Sequence, residues 1–246
     1  MSNFNIKRDR YTLTAIIRRP ETMNAVDFEL MDQLENLLDE IENDNELRLF
    51  ILTGSEKSFI SGGDLREFHQ IKDAEGAKNM TRRMISILER IEKLPCWTLA
   101  AINGHTYGGG WETMLSFDFQ VAADFAKFGF TQGKFYLPPG WGGIGKLKKT
   151  VGSNLALFWL GTQKVIDAKT ALQHGLIQDV FEAYAFEEKL ETLKNFLILN
   201  DRPFIEYLKQ SDSGSIGDEI EPFSRFWESE EHLKRVDEFL SRKKVL

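Results

Sequence analysis

The sequence predicts an α/β protein in which short apolar strands alternate with amphipathic helices. Apolar residues recur at helical spacing between residues 30 and 41 and again between 80 and 91. Short runs rich in β-branched and aromatic residues precede and follow these stretches, and such runs favour strands. The 246 residues are 42% hydrophobic and 28% charged, an ordinary globular composition. This length accommodates one large domain, or one domain with a small appendage.

The individual elements follow from the apolar spacing and from the residues that end each run. Asp27 is placed as the N-cap of the first long helix, and Pro95 ends the second. Trp97–Ile102 is almost continuously apolar, which is typical of a strand covered on both faces. The predicted elements are strands over 12–17, 47–53, 97–102 and 119–122, helices over about 28–41 and 74–93, a loop over 55–64, and a short helix after residues 108–110. The two long helices are expected to bury Leu30, Met31, Leu34, Leu37, Leu38 and Ile41, and Met80, Met84, Ile87, Leu88 and Ile91.

The chain becomes more charged and helical from about Ala183. We therefore predict a core over residues 1–182 and a helical C-terminal region over residues 183–246. Helices are expected over Phe204–Gln210 and Glu228–Lys244, with Ser211–Ser215 as a linker. The region carries more apolar surface than a free tail should expose, which predicts self-association. The residues of this apolar face are Phe223, Phe226, Trp227, Leu233, Val236, Phe239 and Leu240.

Several classes of protein are disfavoured by composition. The single cysteine, Cys96, excludes a disulfide within the chain, and we expect it to be a small buried hydrophobe. Residues 1–5 are polar and no stretch approaches about 18 uninterrupted apolar residues, so we expect neither a signal peptide nor a membrane span. A cytoplasmic location is the resulting expectation. The net charge of −7 argues against a nucleic-acid surface. His69, His174 and His232 are expected on the surface or on helix faces, without metal-ligand spacing.

Three glycine-rich segments stand out as candidate ligand-binding turns. Glycines after a strand let backbone N–H groups approach a ligand without an intervening Cβ. Glycines at the start of a helix present free N–H groups where the helix dipole favours negative charge. The segments are Ser58–Leu65 with Gly62-Gly63, Ala100–Glu112 with Gly108-Gly109-Gly110, and Pro139–Gly143, which is followed by Val151-Gly152 and by Asp167–Ile177.

In their order and spacing, these segments resemble the crotonase (enoyl-CoA hydratase/isomerase) superfamily, from about Thr12 to Phe181. The resemblance implies a spiral of ββα units whose helical C-terminal region packs trimers or dimers of trimers. It also implies an acyl-CoA thioester as substrate, with coenzyme A as part of that substrate and no bound metal or redox cofactor. It assigns Gly63 and Gly109 as the two N–H donors of an oxyanion hole. The alternative is that these glycines only serve tight turns.

The resemblance also suggests further residues that contact the substrate or its CoA portion. For His105, Tyr107 and Trp141 the alternative is a packing role. For Arg66 the alternatives are a CoA phosphate contact and a solvated helix charge. The full set suggested is Ser61, Gly62, Asp64, Leu65, Arg66, His105, Tyr107 and Trp141.

Glu112 and Gln132 are the side chains on which the predicted reaction depends. Glu112 lines up with one of the family's two catalytic glutamates, and near an apolar pocket it can act as acid or base. The alternative is a helix charge that merely complements the dipole. Counting back from Pro139, the place of the second glutamate is taken by Gln132. An amide orients a water or an acyl group, but it does not exchange protons as a carboxylate does.

The pattern with one glutamate resembles family members such as methylmalonyl- and ethylmalonyl-CoA decarboxylases. Decarboxylation needs an enolate sink more than a pair of bases, so removal of CO₂ from a malonyl-type acyl-CoA is the leading prediction. The alternatives are an enoyl-CoA hydratase that uses Glu112, a non-catalytic CoA-binding protein and an RNA-binding homologue. RNA binding ranks lowest, because Glu75, Glu89 and Glu92 interrupt the cations of the helix over 74–93.

Overall fold

The computed structural model describes residues 3–210 and 216–242, and it confirms the α/β class. The strands in this part of the chain are β1 (Phe4–Arg8), β2 (Thr12–Ile17), β3 (Leu49–Gly54), β4 (Ser58–Ile60), β5 (Trp97–Ile102), β6 (His105–Tyr107), β7 (Phe119–Ala123), β8 (Lys127–Gly129), β9 (Val165–Asp167) and β10 (Asp179–Phe181). The α-helices are α1 (Phe28–Asn43), α2 (Leu65–Phe68), α3 (Ala74–Lys93), α4 (Gly109–Met114), α5 (Gly143–Val151), α6 (Ser153–Gly161), α7 (Ala168–Gln173), α8 (Phe186–Leu197), α9 (Arg202–Gln210), α10 (Ile220–Trp227) and α11 (Glu230–Arg242). Single 3₁₀ turns span Pro20–Thr22, Gln132–Phe135, Ala183–Ala185 and Ile216–Glu219.

The strands form two sheets. The larger sheet has the order β1-β2-β3-β5-β7-β10, with β1 antiparallel to β2 and the other pairs parallel. The smaller sheet has the order β4-β6-β8-β9, with β9 antiparallel to β8. Three times in succession, at β3–β4, β5–β6 and β7–β8, the chain adds one strand to the larger sheet and one to the smaller sheet and then enters a helix. This repeat confirms the expected spiral of ββα units. After α6 the order changes, since α7 separates β9 of the smaller sheet from β10 of the larger sheet.

Both faces of β3 and β5, in the middle of the larger sheet, are buried, as the almost continuous apolar run in β5 predicted. Leu49 and Ile51 of β3 face a cluster that includes Phe186 and Leu190 of α8. Phe50, between them, belongs to the main core on the opposite face. Side chains alternate in this way because successive residues of a strand point to opposite faces.

The two long helices pack together as predicted. Asp27 caps α1 by accepting the N–H of Leu30 at 2.7 Å, and every apolar residue predicted for α1 is buried. Arg83 of α3 makes a bidentate ion pair with Glu35 of α1, with N–O distances of 2.6 and 3.0 Å. Arg90 pairs in the same way with Glu42. These α3 cations therefore serve contacts with α1.

Several predicted boundaries need correction. The predicted loop over 55–64 contains β4, the strand predicted over 47–53 spans Leu49–Gly54, and the helix predicted from Glu228 begins at Glu230. Six strands were not predicted: β1, β4, β6, β8, β9 and β10. Apart from β1 they have three residues each, too few to show a period of two. Cys96 is buried, as expected.

The chain divides into two compact units, residues 1–205 and 206–246. In the second unit, α10 and α11 expose large apolar side chains, and Phe226 packs against Tyr207 at 5.5 Å between ring centroids. The boundary predicted at residues 182 and 183 stays a prediction, and the predicted linker over 211–215 and the end of the last helix lie outside the described residues. No helix in the described ranges is both long and apolar enough to cross a membrane.

Candidate active site

A cavity of about 660 Å³ in the first unit brings the glycine turns together. It lies between the ends of β4 and β6, the start of α4, and the segment from residue 131 to residue 141. Eight of the twelve predicted site residues line it, namely Ser61, Gly62, Gly63, Leu65, Gly109, Glu112, Gln132 and Trp141. The remaining four, Asp64, Arg66, His105 and Tyr107, do not belong to its lining.

Gly63 is held by hydrogen bonds on both of its sides. The Val26 N–H donates to the Gly62 carbonyl at 2.8 Å, and the Asp64 N–H donates to the Val26 carbonyl at 2.7 Å. This is a parallel bridge between Val26 and Gly63, so the peptide groups of Gly63 itself face away from Val26. The Gly63 N–H has no acceptor among the described residues. The Gly63 N–H is thus held facing away from Val26, and Gly63 itself lines the cavity.

Gly109 is the first residue of α4, where the backbone N–H has no partner within the helix. A Cβ atom on Gly62 would lie 3.4 Å from the Gly109 nitrogen, so the two glycine turns are in contact. A Cβ on Gly109 would come within 2.1 Å of the Trp141 ring, and one on Gly63 within 2.5 Å of the Phe68 ring. Neither position has room for a side chain, and both residues line the same cavity.

Glu112 lies on the first turn of α4 and is 2% exposed. Its Oε2 accepts the N–H groups of Trp141 at 2.8 Å and Gly143 at 2.9 Å. Its Oε1 accepts the N–H of Gly140 at 3.3 Å and the Gln132 amide at 3.0 Å. Burial raises the pKa of Glu112, and these four hydrogen bonds oppose the increase. A carboxylate has about four lone-pair sites, so the donors of this chain occupy all of them.

Gln132 opens the 3₁₀ turn Gln132–Phe135 and lies beside Glu112, although 20 residues separate them in sequence. Its Nε2 donates to Glu112, and its Oε1 accepts the indole N–H of Trp111 at 3.1 Å. The amide thus stands at the side of the buried carboxylate, in the cavity wall. No second carboxylate lines the cavity within the described part of the chain.

Apart from Leu65 and Trp141, the apolar walls of the cavity were missed by sequence reasoning. They come from the stretch between residues 68 and 81 and from the segment before Pro139, neither of which has a strong periodic signal. Met80 carried a partial signal, because it continues the apolar face of α3 beyond the buried residues and is half-buried. His69, expected on the surface, is exposed and borders the cavity. The additional lining residues are Phe68, His69, Ile71, Ala77, Met80, Thr81, Gly108, Thr131, Phe135, Leu137, Pro138 and Gly140.

The four predicted residues outside the lining have other contacts. Asp64 caps α2 by accepting the Arg66 N–H at 3.0 Å, and it also pairs with the buried Arg19 at 3.1 Å. Arg66 is exposed. The ring centroids of His105 and Tyr107 lie 5.8 Å apart. Burial lowers the pKa of His105 and raises that of Tyr107. Their suggested contacts with substrate or CoA stay predictions.

The side chains of the site also indicate whether it could bind a metal ion. The described residues include no group of three or more His, Cys, Asp or Glu side chains that could hold a metal ion. The polar side chains of the cavity lining are instead one carboxylate (Glu112), one amide (Gln132), the hydroxyl groups of Ser61, Thr81 and Thr131, and the imidazole of His69. Peptide N–H groups without an internal acceptor, placed beside an apolar cavity, are the kind of donor that can stabilise an oxyanion formed on an acyl group.

Comparison with known proteins agrees with this class of site. Residues 12–211 match the sequence model of the enoyl-CoA hydratase/isomerase family. The chain therefore belongs to this family, within the crotonase superfamily, whose enzymes act on CoA thioesters. It is 28% identical to a short-chain-enoyl-CoA hydratase of Clostridium acetobutylicum, over 100% of this chain and 97% of the relative. It is 30% identical to a probable enoyl-CoA hydratase of Bacillus subtilis, over 99% of this chain and 98% of the relative.

Solved structures share the fold. An enoyl-CoA hydratase from Bacillus anthracis superimposes with a TM-score of 0.89 at 25% identity, over 98% of this chain and 97% of the other. An enoyl-CoA hydratase from Mycobacterium smegmatis superimposes with a TM-score of 0.91 at 22% identity, over 98% of this chain and 97% of the other. The spiral with its helical C-terminal region is therefore the crotonase fold.

Proposed function

We propose that this enzyme removes CO₂ from a malonyl-type acyl-CoA, such as a methyl- or ethylmalonyl-CoA. The bond between the α-carbon and the carboxylate breaks, and its electron pair moves into the thioester to form an enolate. The N–H groups of Gly63 and Gly109 hold the enolate oxygen, and CO₂ leaves. A proton from water or from Glu112 then completes the acyl-CoA product at the α-carbon.

The observation that carries this proposal is the state of the carboxylates in the cavity. Gln132 stands where a second glutamate would be needed, and Glu112 already accepts four hydrogen bonds. Hydration requires a water activated at one carbon and a proton delivered to its neighbour. Each general acid or base step is worth roughly 10²–10⁴-fold. Decarboxylation does not need such a pair, so it fits this site better than hydration does.

The cavity wall supports the same reaction. Its residues, all of them described, include neither lysine nor arginine, and many are apolar. A substrate carboxylate placed there would lose hydration without gaining an ion pair. Loss of neutral CO₂ removes that charge from the apolar site, while the growing negative charge on the thioester oxygen meets two N–H donors.

Hydration of an enoyl-CoA by Glu112 is the second candidate. It is favoured by the names of the relatives, which are described as enoyl-CoA hydratases. It requires Glu112 to exchange one of its four donors for a water. A non-catalytic CoA-binding protein is a third possibility, in which the oxyanion site holds a thioester without turnover.

A panel of substrates distinguishes these candidates. The protein is incubated with malonyl-, methylmalonyl-, ethylmalonyl-, crotonyl- and β-hydroxybutyryl-CoA, and the products are identified by mass spectrometry. We expect loss of CO₂ from a substituted malonyl-CoA and weak hydration of crotonyl-CoA. Rapid hydration without CO₂ release from any malonyl ester would reject the proposal. Binding of all esters without turnover would instead support the non-catalytic alternative.

The remaining proposals concern the surroundings of this reaction. Arg66, exposed beside the lining residue Leu65, is our suggested contact for a CoA phosphate. The exposed apolar face of α10 and α11 is our suggested surface for a homotrimer or a dimer of trimers. No bound cofactor is required for the proposed chemistry, and a cytoplasmic location stays a prediction.

A further inference from the structure

Trp111 occupies an unusual place beside the candidate site. It is fully buried, it precedes Glu112 directly in α4, and its ring centroid lies 5.2 Å from that of Phe130. Its indole Nε1–H donates to the Gln132 side chain at 3.1 Å. A buried indole N–H needs an acceptor, and the Gln132 Oε1 supplies it.

The groups at the two ends of the Gln132 amide leave it a single orientation. An indole N–H is only a donor, so the amide oxygen must face Trp111. An ionised carboxylate is only an acceptor, so the amide NH₂ must face Glu112, as its 3.0 Å hydrogen bond requires. Reversing the amide would place two donors against each other at Trp111 and two acceptors against each other at Glu112. A glutamate at position 132 would likewise place two carboxylates side by side.

We propose that Trp111 is a positioning residue of this site, which fixes the orientation of the Gln132 amide so that it donates to Glu112 and favours the ionised form of that carboxyl group. Trp111 acts through Gln132 and does not itself line the cavity. The hydrogen bond from Trp111 explains why an amide suits position 132, where it orients and stabilises the charge of Glu112. This inference does not depend on which acyl-CoA reaction the enzyme catalyses.

The charge on Glu112 is held mainly by neutral donors. The titratable side chains on β6, on α5 and on the 3₁₀ turn Gln132–Phe135, which surround Glu112, are His105, Tyr107, Lys134, Lys146, Lys148 and Lys149, and His69 also borders the cavity. All seven are described, and none is a hydrogen-bond partner of Glu112. Lys146 instead pairs with Glu92 and donates to Ser116. A hydrogen bond to the charged form favours that form, so weakening the Gln132 contact should favour the protonated acid.

The variant Trp111→Phe tests this positioning role, because it keeps an aromatic ring beside Phe130 but removes the N–H. Protonation of Glu112 is followed against pH by infrared spectroscopy of protein labelled with ¹³C-glutamate, and Glu112→Gln identifies the band. We expect the midpoint to move upward by roughly one pH unit, the effect of losing a hydrogen bond to a charged group. Trp159→Phe is the matched control, since Trp159 is buried and also stacks on Phe130, with 5.1 Å between ring centroids. Its midpoint should not move.

A double-variant cycle separates positioning from general loosening of the core. Gln132→Leu breaks the same contact from the other side, so it should raise the midpoint by itself. In that background Trp111→Phe should add no further shift. The proposal would be overturned if the pH midpoint of Glu112 protonation is unchanged in a folded Trp111→Phe variant. It would also be overturned if Trp111→Phe shifts this midpoint equally in the wild-type and Gln132→Leu backgrounds. If Trp111→Phe does not fold, an unchanged midpoint in Gln132→Leu overturns it. The titration needs no acyl-CoA, so its result is separate from the fate of the proposed decarboxylation.

Discussion

The indole ring of Trp141 lies directly against Gly109, so closely that a Cβ atom on Gly109 would come within 2.1 Å of Cζ3. The peptide N–H of Trp141 also donates to Glu112 at 2.8 Å. Trp141 therefore connects the buried carboxylate to one of the proposed oxyanion donors. A substitution that disturbs the contact between Trp141 and Gly109 should therefore also disturb the hydrogen bond from Trp141 to Glu112, and the reverse.

The first prediction concerns the donor at Gly109. Gly109→Pro removes its N–H and places a ring against Trp141, while proline itself is tolerated at the first position of a helix. We expect turnover to fall by at least about 10²-fold, the effect of losing one oxyanion donor. Gly109→Ala keeps the N–H and measures the steric part alone. Gly145→Ala is the control, because nothing lies within 4 Å of its Cβ position. Full activity of a folded Gly109→Pro variant would show that this donor is wrongly assigned.

The second prediction concerns Gln132→Glu. The new carboxylate would lie about as far from Glu112 as the present amide, whose nitrogen is 3.0 Å away. Two carboxylates so close share a proton, because each raises the pKa of the other. A shared proton provides an acid and a base together, so crotonyl-CoA hydration should rise at least tenfold over the wild type. Gln132→Met, which cannot titrate, is the matched control. No gain in hydration by the glutamate variant would argue against the role given to position 132.

The third prediction concerns stability against pH. The pKa of Glu112 is raised above its ordinary value of 4.5 by burial, so between 4.5 and the raised value the folded protein holds more of this proton than the unfolded chain. The stabilising effect of the protonated group is complete below the unfolded pKa and is lost as pH rises through the folded pKa. The free energy of unfolding of the wild type, measured in urea relative to Glu112→Gln, should therefore decrease with rising pH in this window. If the unfolding free energy of the wild type relative to Glu112→Gln instead increases with pH, the hydrogen bonds to Glu112 affect its pKa more than burial does.

The fourth prediction concerns the buried Arg19. Its Nη2 lies 2.6 Å from Asp27 and 3.1 Å from Asp64, and this ion pair ties the start of α1 to the residue after Gly63. Arg19→Met leaves both carboxylates without this partner, which should cost about 3–5 kcal/mol of unfolding free energy. Arg18→Met is the control, because Arg18 is exposed and should change stability by less than about 0.5 kcal/mol. Equal urea midpoints for the two variants would refute the importance of this ion pair.

The fifth prediction concerns assembly. Phe239 of α11 is 57% exposed in the single chain, and Phe223 of α10 is 61% exposed. We expect a trimer or a multiple of it by light scattering at micromolar concentration. Phe239→Glu should reduce the mass, because it places a charge in the apolar face. Lys234→Glu, a charge change at an exposed polar position, should leave the mass unaltered. A monomeric wild type would contradict the predicted self-association.

Long-period features of this chain were predictable from sequence. The helices α1 and α3 bury stripes of apolar residues, and a stripe repeats often enough over four or five turns to identify its helix. The strand β5 was recognisable because both its faces are buried, which leaves an almost continuous apolar run. The glycine turns were recognisable because close backbone approach excludes every other residue.

Contacts between distant segments were not predictable in the same way. The short strands β4, β6 and β8 are specified by pairing with one another, and three residues carry no usable pattern. The hydrogen bond between Trp111 and Gln132 joins residues 21 positions apart on different elements. Nothing in the local sequence around either residue indicates it. The same applies to Phe68, which closes over Gly63 from α2.

Both proposed oxyanion donors are main-chain groups, held by Val26 and by the start of α4. Substitutions at positions 112 and 132 alter proton transfer but leave those two N–H groups in the chain. The reaction can therefore change over evolutionary time by replacing a few side chains, without rebuilding the part of the site that stabilises the intermediate. A duplicated gene for such a protein would already encode the groups that stabilise an enolate, and later side-chain substitutions would determine only how the enolate reacts.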